Sequence, residues 1–276
     1  MSKKFNNRVC VITGAASGIG KSLAHQLAKR GAKLALSDID SDNLLQLSEQ
    51  LTQDGHQVFS APFDVADKNA FFEFATDVKR YFGAAHIVIN NAGVGLGSGT
   101  LWETELADFD WLMGINFYGV LYGTKAFLPI LMEQDFGHIV NISSVFGLVG
   151  GPRQHAYNAS KFAVRGLTES LRHDLKLAKS NVSCTCVHPG GIKTNIARNT
   201  RFSEAALSDQ DLKERVAQFD KMAKTTPEQA ALKILKAIEK DQQRVLIGLD
   251  AKLIDLVQRL IPSSYGRILL PLFKQE

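Results

Sequence analysis

The sequence is poor in cysteine and proline, and its charges are nearly balanced. It holds three cysteines and seven prolines among 276 residues, which excludes a disulfide scaffold and a proline-rich low-complexity chain. Lysine and arginine outnumber aspartate and glutamate by only 32 to 28. Since the basic residues are interleaved with acidic ones, the charge pattern gives no indication of nucleic-acid binding. The 45% of hydrophobic residues indicates a folded globular protein.

Long apolar runs are also missing. No uncharged run reaches the roughly 18 residues that a membrane span needs. The N-terminal segment has no apolar stretch after its two lysines, where a signal peptide would have one. Cys184 and Cys186 are expected to be buried residues that pack in the apolar core rather than metal ligands. We therefore expect a cytoplasmic protein without a metal site.

Short apolar segments typical of strands alternate with longer amphipathic segments typical of helices. Nearly all-apolar strands separated by helices predict a parallel sheet covered on both faces, which is a doubly wound, Rossmann-type α/β fold. The seven predicted strands are 8–13, 33–38, 57–63, 86–90, 137–143, 182–188 and 244–248. The predicted helices between them are 20–30, 42–53, 67–82, 107–132, 157–179 and 227–240. No linker interrupts this order, so we expect one domain over 1–276.

A glycine-rich turn follows the first strand. Gly14, Gly18 and Gly20 let the backbone turn tightly and let a pyrophosphate approach the free N–H groups of the next helix. A triphosphate-binding loop is the first alternative, since 20–22 reads G-K-S. That loop would need a glycine at Ala15. A glycine turn without a ligand is the second alternative.

Asp38 ends the second predicted strand, 18 residues after Gly20. A carboxylate near this offset binds the ribose hydroxyls of NAD and repels the 2′-phosphate of NADP. Neither Ile39 nor Ala16 offers a cation for that phosphate. NAD is therefore favoured over NADP, although Asp38 or Ser41 could instead cap the following helix.

Tyr157 and Lys161 stand four residues apart at the start of a predicted helix, so their side chains share one face. A nearby ammonium favours the phenolate and lowers the pKa of a tyrosine, which makes it a usable base. Ser144 follows a predicted strand 13 residues upstream, at the edge where such sheets bind ligands. The alternative is a surface pair without chemistry.

The chain resembles the classical short-chain dehydrogenase/reductase family. The matching features occur in family order over roughly 8–195. They are TGAASGIG (13–20), Asp38, Asp64-Val65, NNAG (90–93), Asn116, ISS (142–144), YNASK (157–161) and HPGGIKT (188–194).

The resemblance implies a role for each residue of the reactive group. Tyr157 would exchange a proton with the substrate oxygen, and Ser144, rather than Ser143, would hydrogen-bond to that oxygen. Lys161 would hold the nicotinamide ribose and lower the pKa of the tyrosine. Asn116 would anchor a water that passes protons to solvent; otherwise it is a polar residue that bonds helix backbone.

The resemblance also implies the cofactor contacts. Asp64 and Val65 would flank the adenine. Asn90 and Gly93 would shape the cofactor bed and brace the sheet, and Thr194 would touch the nicotinamide amide or the pyrophosphate. The full expected set is Gly14, Ser17, Gly18, Ile19, Gly20, Asp38, Asp64, Val65, Asn90, Gly93, Tyr157, Lys161, Pro189, Ile192 and Thr194.

The substrate is expected between 145–155, 94–99 and the segment after Pro189. The first of these is largely apolar, and 195–225 is predicted to be a mobile lid, so we expect a lipophilic secondary alcohol or ketone, hydroxysteroid-like or long-chain. Arg153 and His155 keep open a carboxylate or thioester substrate. The second possible function is an NADP-dependent reductase of 3-oxoacyl thioesters, although Asp38 argues against its cofactor. A third is a non-catalytic nucleotide-binding protein on the same fold.

The C-terminal segment 250–276 carries an amphipathic apolar stripe that includes Leu253, Leu256, Val257 and Leu260. Such a stripe is most often core or subunit interface. The basic residues around it favour the alternative of peripheral contact with anionic lipid. Family members usually assemble through their long helices, so the resemblance implies a homo-oligomer, a dimer or tetramer.

Overall fold

The computed structural model describes residues 4–97, 99–196, 198–202, 217, 221 and 223–273. Its strands are β1 (Val9–Thr13), β2 (Lys33–Asp38), β3 (Val58–Pro62), β4 (Ile87–Asn90), β5 (Leu96–Gly97), β6 (Gly137–Ile142), β7 (Val182–Pro189), β8 (Arg201–Phe202) and β9 (Arg244–Ile247). Seven of them form one sheet in the order β3-β2-β1-β4-β6-β7-β9. Every pairing in this sheet is parallel, so the predicted Rossmann-type sheet is confirmed.

The helices lie between the strands, as the sequence predicts. They are α1 (Gly18–Ala28), α2 (Ser41–Gln53), α3 (Lys68–Phe82), α4 (Leu106–Met113), α5 (Gly119–Met132), α6 (His155–Leu177), α7 (Pro227–Glu239), α8 (Leu249–Leu260) and α9 (Tyr265–Leu269). Local sequence fixes several starts. The side chains of Asp40 and Asp67 cap α2 and α3, and Thr226 forms a capping box at α7, because these oxygens satisfy N–H groups of the first turn.

The core lies on both faces of the sheet. Alternating residues of β1 point to opposite faces: Ile12 joins the cluster beneath α1, α2 and α7, whereas Val11 joins the cluster beneath α3 and α5. Because all seven strands are parallel, their carboxyl ends lie along one edge of the sheet, where such sheets bind ligands.

Two features differ from the expected elements. The predicted helix 107–132 is interrupted by a π-helical turn, Gly114–Tyr118, which separates α4 from α5. The short strands β5 and β8 pair in parallel as a separate two-stranded sheet, which the sequence did not predict. Most of the predicted lid 195–225 lies outside the described residues.

The three cysteines are free and buried, as predicted for Cys184 and Cys186, and burial raises the pKa of these two thiols to about 12. Among the described residues, no helix is both long and apolar enough to cross a membrane. In α8, Leu253, Leu256 and Leu260 are exposed. The interpretation of these leucines as core residues is therefore wrong.

Candidate active site

The glycine turn joins β1 to α1 at the carboxyl edge of the sheet. Gly14 and Gly18 adopt the left-handed φ values +63° and +50°, which favour glycine. A β-carbon at Gly20 would collide with the carbonyl oxygen of Gly14. The exposed N-cap residue of α1, Ser17, makes no side-chain capping bond, and the first turn holds no acidic residue. The helix N-terminus can therefore accept an anionic group.

Asp38 lies at the end of β2 and faces this turn. Its Oδ2 atom accepts a hydrogen bond from the N–H of Ala16 at 2.9 Å, and its Oδ1 atom accepts one from the N–H of Asp40 at 3.1 Å. Asp40, rather than Asp38 or Ser41, caps α2. The capping alternative for Asp38 is therefore excluded.

Thr13 and Asn91, to which the sequence assigned no individual function, brace the glycine turn. The Nδ2 atom of Asn91 donates to the carbonyl oxygens of Thr13 at 2.9 Å and Gly14 at 3.0 Å. The hydroxyl of Thr13 accepts from the N–H groups of Asn91 and Ala92, each at 3.1 Å. The position of Asn91 inside the NNAG motif was the signal that could have identified it.

Ser143 and Ser144 point in different directions after β6. The Ser143 hydroxyl donates to the carbonyl oxygen of Lys161 at 2.8 Å, so it serves the packing of α6. The Ser144 hydroxyl forms a hydrogen bond with the phenol of Tyr157 and accepts from the N–H of Phe146 at 3.2 Å. The structure therefore brings Ser144, not Ser143, to the tyrosine.

Tyr157 and Lys161 lie together, as their spacing predicts. The Lys161 Nζ atom is 5.5 Å from the centre of the Tyr157 ring and donates to the carbonyl oxygen of Ile142 at 3.1 Å. Burial lowers the pKa of Lys161 to about 8. Burial raises the pKa of Tyr157, and the hydrogen bond from Ser144 opposes that shift. This direction is opposite to the lowered pKa expected from a nearby ammonium, because burial disfavours the charged phenolate.

Asn116 is fully buried in the π-helical turn. Its Oδ1 atom accepts from the N–H of Val94 at 2.8 Å, and its Nδ2 atom donates to the Val94 carbonyl at 2.9 Å. A β-carbon at Gly93 would lie 3.2 Å from Asn116 Oδ1 and 3.4 Å from Lys161 Nζ. Asn116 thus fixes the backbone beside Lys161, and its side chain bonds that backbone rather than helix backbone.

The segment after β7 passes over the glycine turn. Pro189 ends β7, and the buried Ile192 bridges to Thr225. A β-carbon at Gly18 would lie 3.1 Å from the Thr194 side chain, so Thr194 faces the start of α1. Asp250 accepts the N–H of Gly191 at 2.6 Å and holds this segment, a function that no sequence signal indicated.

The remaining residues predicted to contact the cofactor differ in burial and in their hydrogen bonds. Asp64 is exposed after β3 and accepts the N–H of Ala66 at 2.9 Å, and Val65 is buried. Asn90 is buried, and its amide donates to Asn141 Oδ1 at 2.8 Å. Asn90 therefore braces the sheet, as the resemblance implied. Ile19 is half-buried in the first turn of α1.

On the substrate side, most of the apolar residues of the predicted wall are buried. Val145, Leu148 and Val149 are buried, so they support the wall rather than line it. Phe146 is half-buried and packs edge-on against Tyr157, with ring centres 6.1 Å apart. The Nε2 atom of His155 is buried without a hydrogen-bond partner among the described residues.

His188, in β7, is a further residue that the sequence analysis did not assign. It is fully buried, and its Nδ1 atom lies 2.9 Å from the Ser144 carbonyl oxygen. Burial lowers the pKa of His188 to about 4. The neutral imidazole can therefore donate from Nδ1 and fix the backbone of Ser144.

These features fit a dinucleotide. The open N-terminus of α1 suits a pyrophosphate, the carboxylate of Asp38 suits a ribose diol, and Gly93 leaves space beside Lys161 that a side chain would fill. The residues that would hold the nicotinamide half therefore adjoin the tyrosine that would handle a proton.

Comparisons with known proteins agree with this geometry. The chain matches the short chain dehydrogenase profile over residues 8–205. It is 46% identical over 266 residues to the SadH protein of Mycobacterium tuberculosis, covering 96% of this chain and 94% of that protein. It is 34% identical to the CLA biosynthesis dehydrogenase/reductase of Lactiplantibacillus plantarum, over 75% and 72% of the two chains.

A solved structure is similar over nearly the full length. The short chain dehydrogenase/reductase of Burkholderia phymatum, in complex with NAD, superposes with a TM-score of 0.87 at 33% identity, over 95% of this chain and 96% of that one. The similarity therefore extends beyond residue 205.

Proposed function

Because this chain belongs to the short-chain dehydrogenase/reductase family, we propose that it is an NAD-dependent enzyme that transfers a hydride between the nicotinamide and a lipophilic secondary alcohol or ketone. The family is one of oxidoreductases that bind NAD or NADP. The observation that carries the proposal is the convergence of Ser144, Tyr157 and Lys161 beside Gly93 at the carboxyl edge of the sheet.

The choice of NAD rests on Asp38. Its carboxylate faces the glycine turn, and the next residue, Ile39, is 70% exposed, so no cation at that position would neutralise a 2′-phosphate. The NAD in the Burkholderia phymatum structure, at 33% identity, supports the same choice for this chain. An NADP-dependent thioester reductase is disfavoured by the same carboxylate.

The chain's own residues would carry out the proton-transfer steps. Ser144 would hold the substrate oxygen next to the Tyr157 hydroxyl, which takes the proton of an alcohol or gives one to a ketone oxygen. Lys161, mostly protonated at neutral pH with a pKa of about 8, would favour the phenolate. When bound, oxidised NAD supplies the hydride acceptor and a second positive charge beside the phenol. Asn116 would hold Val94 and Gly93 in the shape that accepts the nicotinamide.

A lipophilic substrate is supported by the surroundings of Tyr157. Its ring packs with Phe146 and belongs to an apolar cluster with Leu96, Leu112 and Ala156. Arg201 forms an ion pair with Asp108 at 3.1 Å, so the described start of the proposed lid, 195–225, is tied to α4.

We also propose that the chain acts as one cytoplasmic domain that forms a homo-oligomer. Tyr118, just before α5, Met132, the last residue of α5, and Phe162 of α6 are each more than 40% exposed. Such exposed apolar side chains on two long helices are suited to a subunit interface.

The test is reduction of NAD and NADP in parallel with secondary alcohols of increasing apolar size. We expect turnover with NAD that improves with the bulk of the alcohol. Turnover with NADP alone would contradict the role of Asp38. No turnover in either direction, with oxo-thioesters included, would favour a nucleotide-binding protein that does no chemistry.

A further inference from the structure

Helix α8 exposes a stripe of four leucines. Leu249, Leu253, Leu256 and Leu260 are 78%, 62%, 52% and 71% exposed. At 3.6 residues per turn, their spacing of four, three and four places them within about 60° of the helix circumference. An apolar stripe this regular is rare on a surface that only meets water.

The opposite face of α8 is fixed to the protein. Ala251 and Asp255 are buried. Asp255 lies 3.7 Å from Arg244 of β9 and accepts one hydrogen bond from Arg259 of its own helix at 2.8 Å. Asp250 accepts the N–H of Gly191 at 2.6 Å. The leucine stripe therefore faces outward because the other side of the helix is already used.

The charged side chains that accompany the stripe are mostly basic. Asp250 is held by the N–H of Gly191, and Asp255 lies between Arg244 and Arg259. The other charged residues there are Lys252, Arg259 and Arg267, all exposed. Lys252 and Arg259 lie on one flank of the leucine stripe. Ile268 and Leu270, each about half exposed, add further apolar surface in the segment after α8.

This charge pattern disfavours a second copy as the occupant. In an antiparallel pair of helices packed through the stripe, the same flank of each helix adjoins its counterpart. Lys252 and Arg259 would then lie beside Arg259 and Lys252 of the second copy, and like charges at flanking positions oppose pairing. An anionic surface meets the same flank with attraction.

We propose that α8 is an interfacial helix that docks on the surface of a bilayer containing anionic lipid. Its leucines would enter the apolar boundary while Lys252, Arg259 and Arg267 contact the headgroups. The helix would lie along the surface, as amphipathic helices with apolar and basic faces do. This inference does not depend on the proposed activity.

The test is cosedimentation of the full chain with vesicles of phosphatidylcholine alone or with about one third phosphatidylserine. We expect binding to the anionic vesicles that weakens as salt is raised. Leu253→Gln/Leu256→Gln should reduce binding by at least about tenfold, since each buried leucine contributes about that factor. Lys252→Gln should weaken binding to anionic vesicles only.

The matched control is Leu177→Gln, which changes an 84% exposed leucine at the end of α6, outside the stripe. It should bind vesicles like the wild type. Equal recovery of all variants in the supernatant, or equal binding by the double variant and the wild type, would overturn the proposal. A lower sedimentation coefficient of the double variant, without vesicle binding by the wild type, would assign the stripe to a second copy and also overturn it.

Discussion

The Ser143 hydroxyl lies 2.8 Å from the carbonyl oxygen of Lys161 and donates a hydrogen bond to it. The neighbouring Ser144 hydroxyl is bonded to Tyr157 instead. Of these two adjacent serines, Ser143 therefore supports packing and Ser144 supports catalysis. Substitution of each serine in turn separates the two functions.

Ser144→Ala should lower kcat by about a hundredfold or more, because the substrate oxygen loses its partner beside the tyrosine. The free energy of unfolding should change little. Ser143→Ala should instead lower the free energy of unfolding by about 1 kcal/mol through the lost buried hydrogen bond. Steady-state kinetics and urea unfolding of both variants measure the split, and equal losses of kcat would contradict it.

Asp38→Asn should remove the preference for NAD. The amide oxygen can still accept the N–H of Ala16, but the negative charge that repels a 2′-phosphate is gone. We expect KM for NAD to rise by about tenfold or more and turnover with NADP to become measurable. Asp40→Asn is the control, since Asn caps α2 about as well as Asp and should leave the cofactor preference unchanged.

Replacing Lys161 should change how stability depends on pH. Burial depresses the pKa of Lys161 to about 8, below the ordinary value of about 10.5 that the unfolded chain retains. Between these values the unfolded state binds more protons, so the wild type gains stability as pH rises, by up to about 1.4 kcal/mol per unit. Urea unfolding of the wild type and Lys161→Met at pH 8, 9 and 10 measures the difference. A difference that does not vary with pH would contradict the buried ammonium.

Two buried histidines should destabilise the protein in acid. Burial lowers the pKa of His138 and of His188 to about 4, whereas histidine in the unfolded chain titrates near 6.5. Stability present above pH 6.5 is therefore lost as pH falls toward 4, by up to about 1.4 kcal/mol per unit for each histidine. His188→Asn removes one titrating group and should make the loss shallower. An unchanged slope in urea unfolding from pH 7 to pH 4.5 would contradict the assignment.

Much of this fold follows from local pattern. All seven strands of the main sheet were predicted from apolar segments, because a strand that is buried on both faces consists almost entirely of apolar residues. The π-helical turn around Asn116 was not predicted, since its hydrogen bonds to Val94 join segments 22 residues apart. The pairing of Leu96 with Arg201 is longer in range still, and no local pattern encodes it.

The site divides in the same way. Motifs placed Gly14, Asp38 and Tyr157 at one edge, and the resemblance already preferred Ser144 over Ser143, in agreement with the different contacts of the two hydroxyls. Sequence reasoning missed Asp250 and His188, which act through backbone atoms of Gly191 and Ser144. Almost every residue type has the same backbone donor and acceptor, so these contacts can be identified only from the folded structure.

The most direct test compares the wild type with Tyr157→Phe for reduction of NAD by a bulky apolar secondary alcohol. The variant keeps the ring that packs on Phe146 and loses only the hydroxyl, and NAD binding is followed separately by titration. We expect the wild type to turn over, and the variant to bind NAD with similar affinity while kcat falls by at least about a hundredfold. Retained turnover in the variant, or a wild type that reduces NADP alone, would contradict the account.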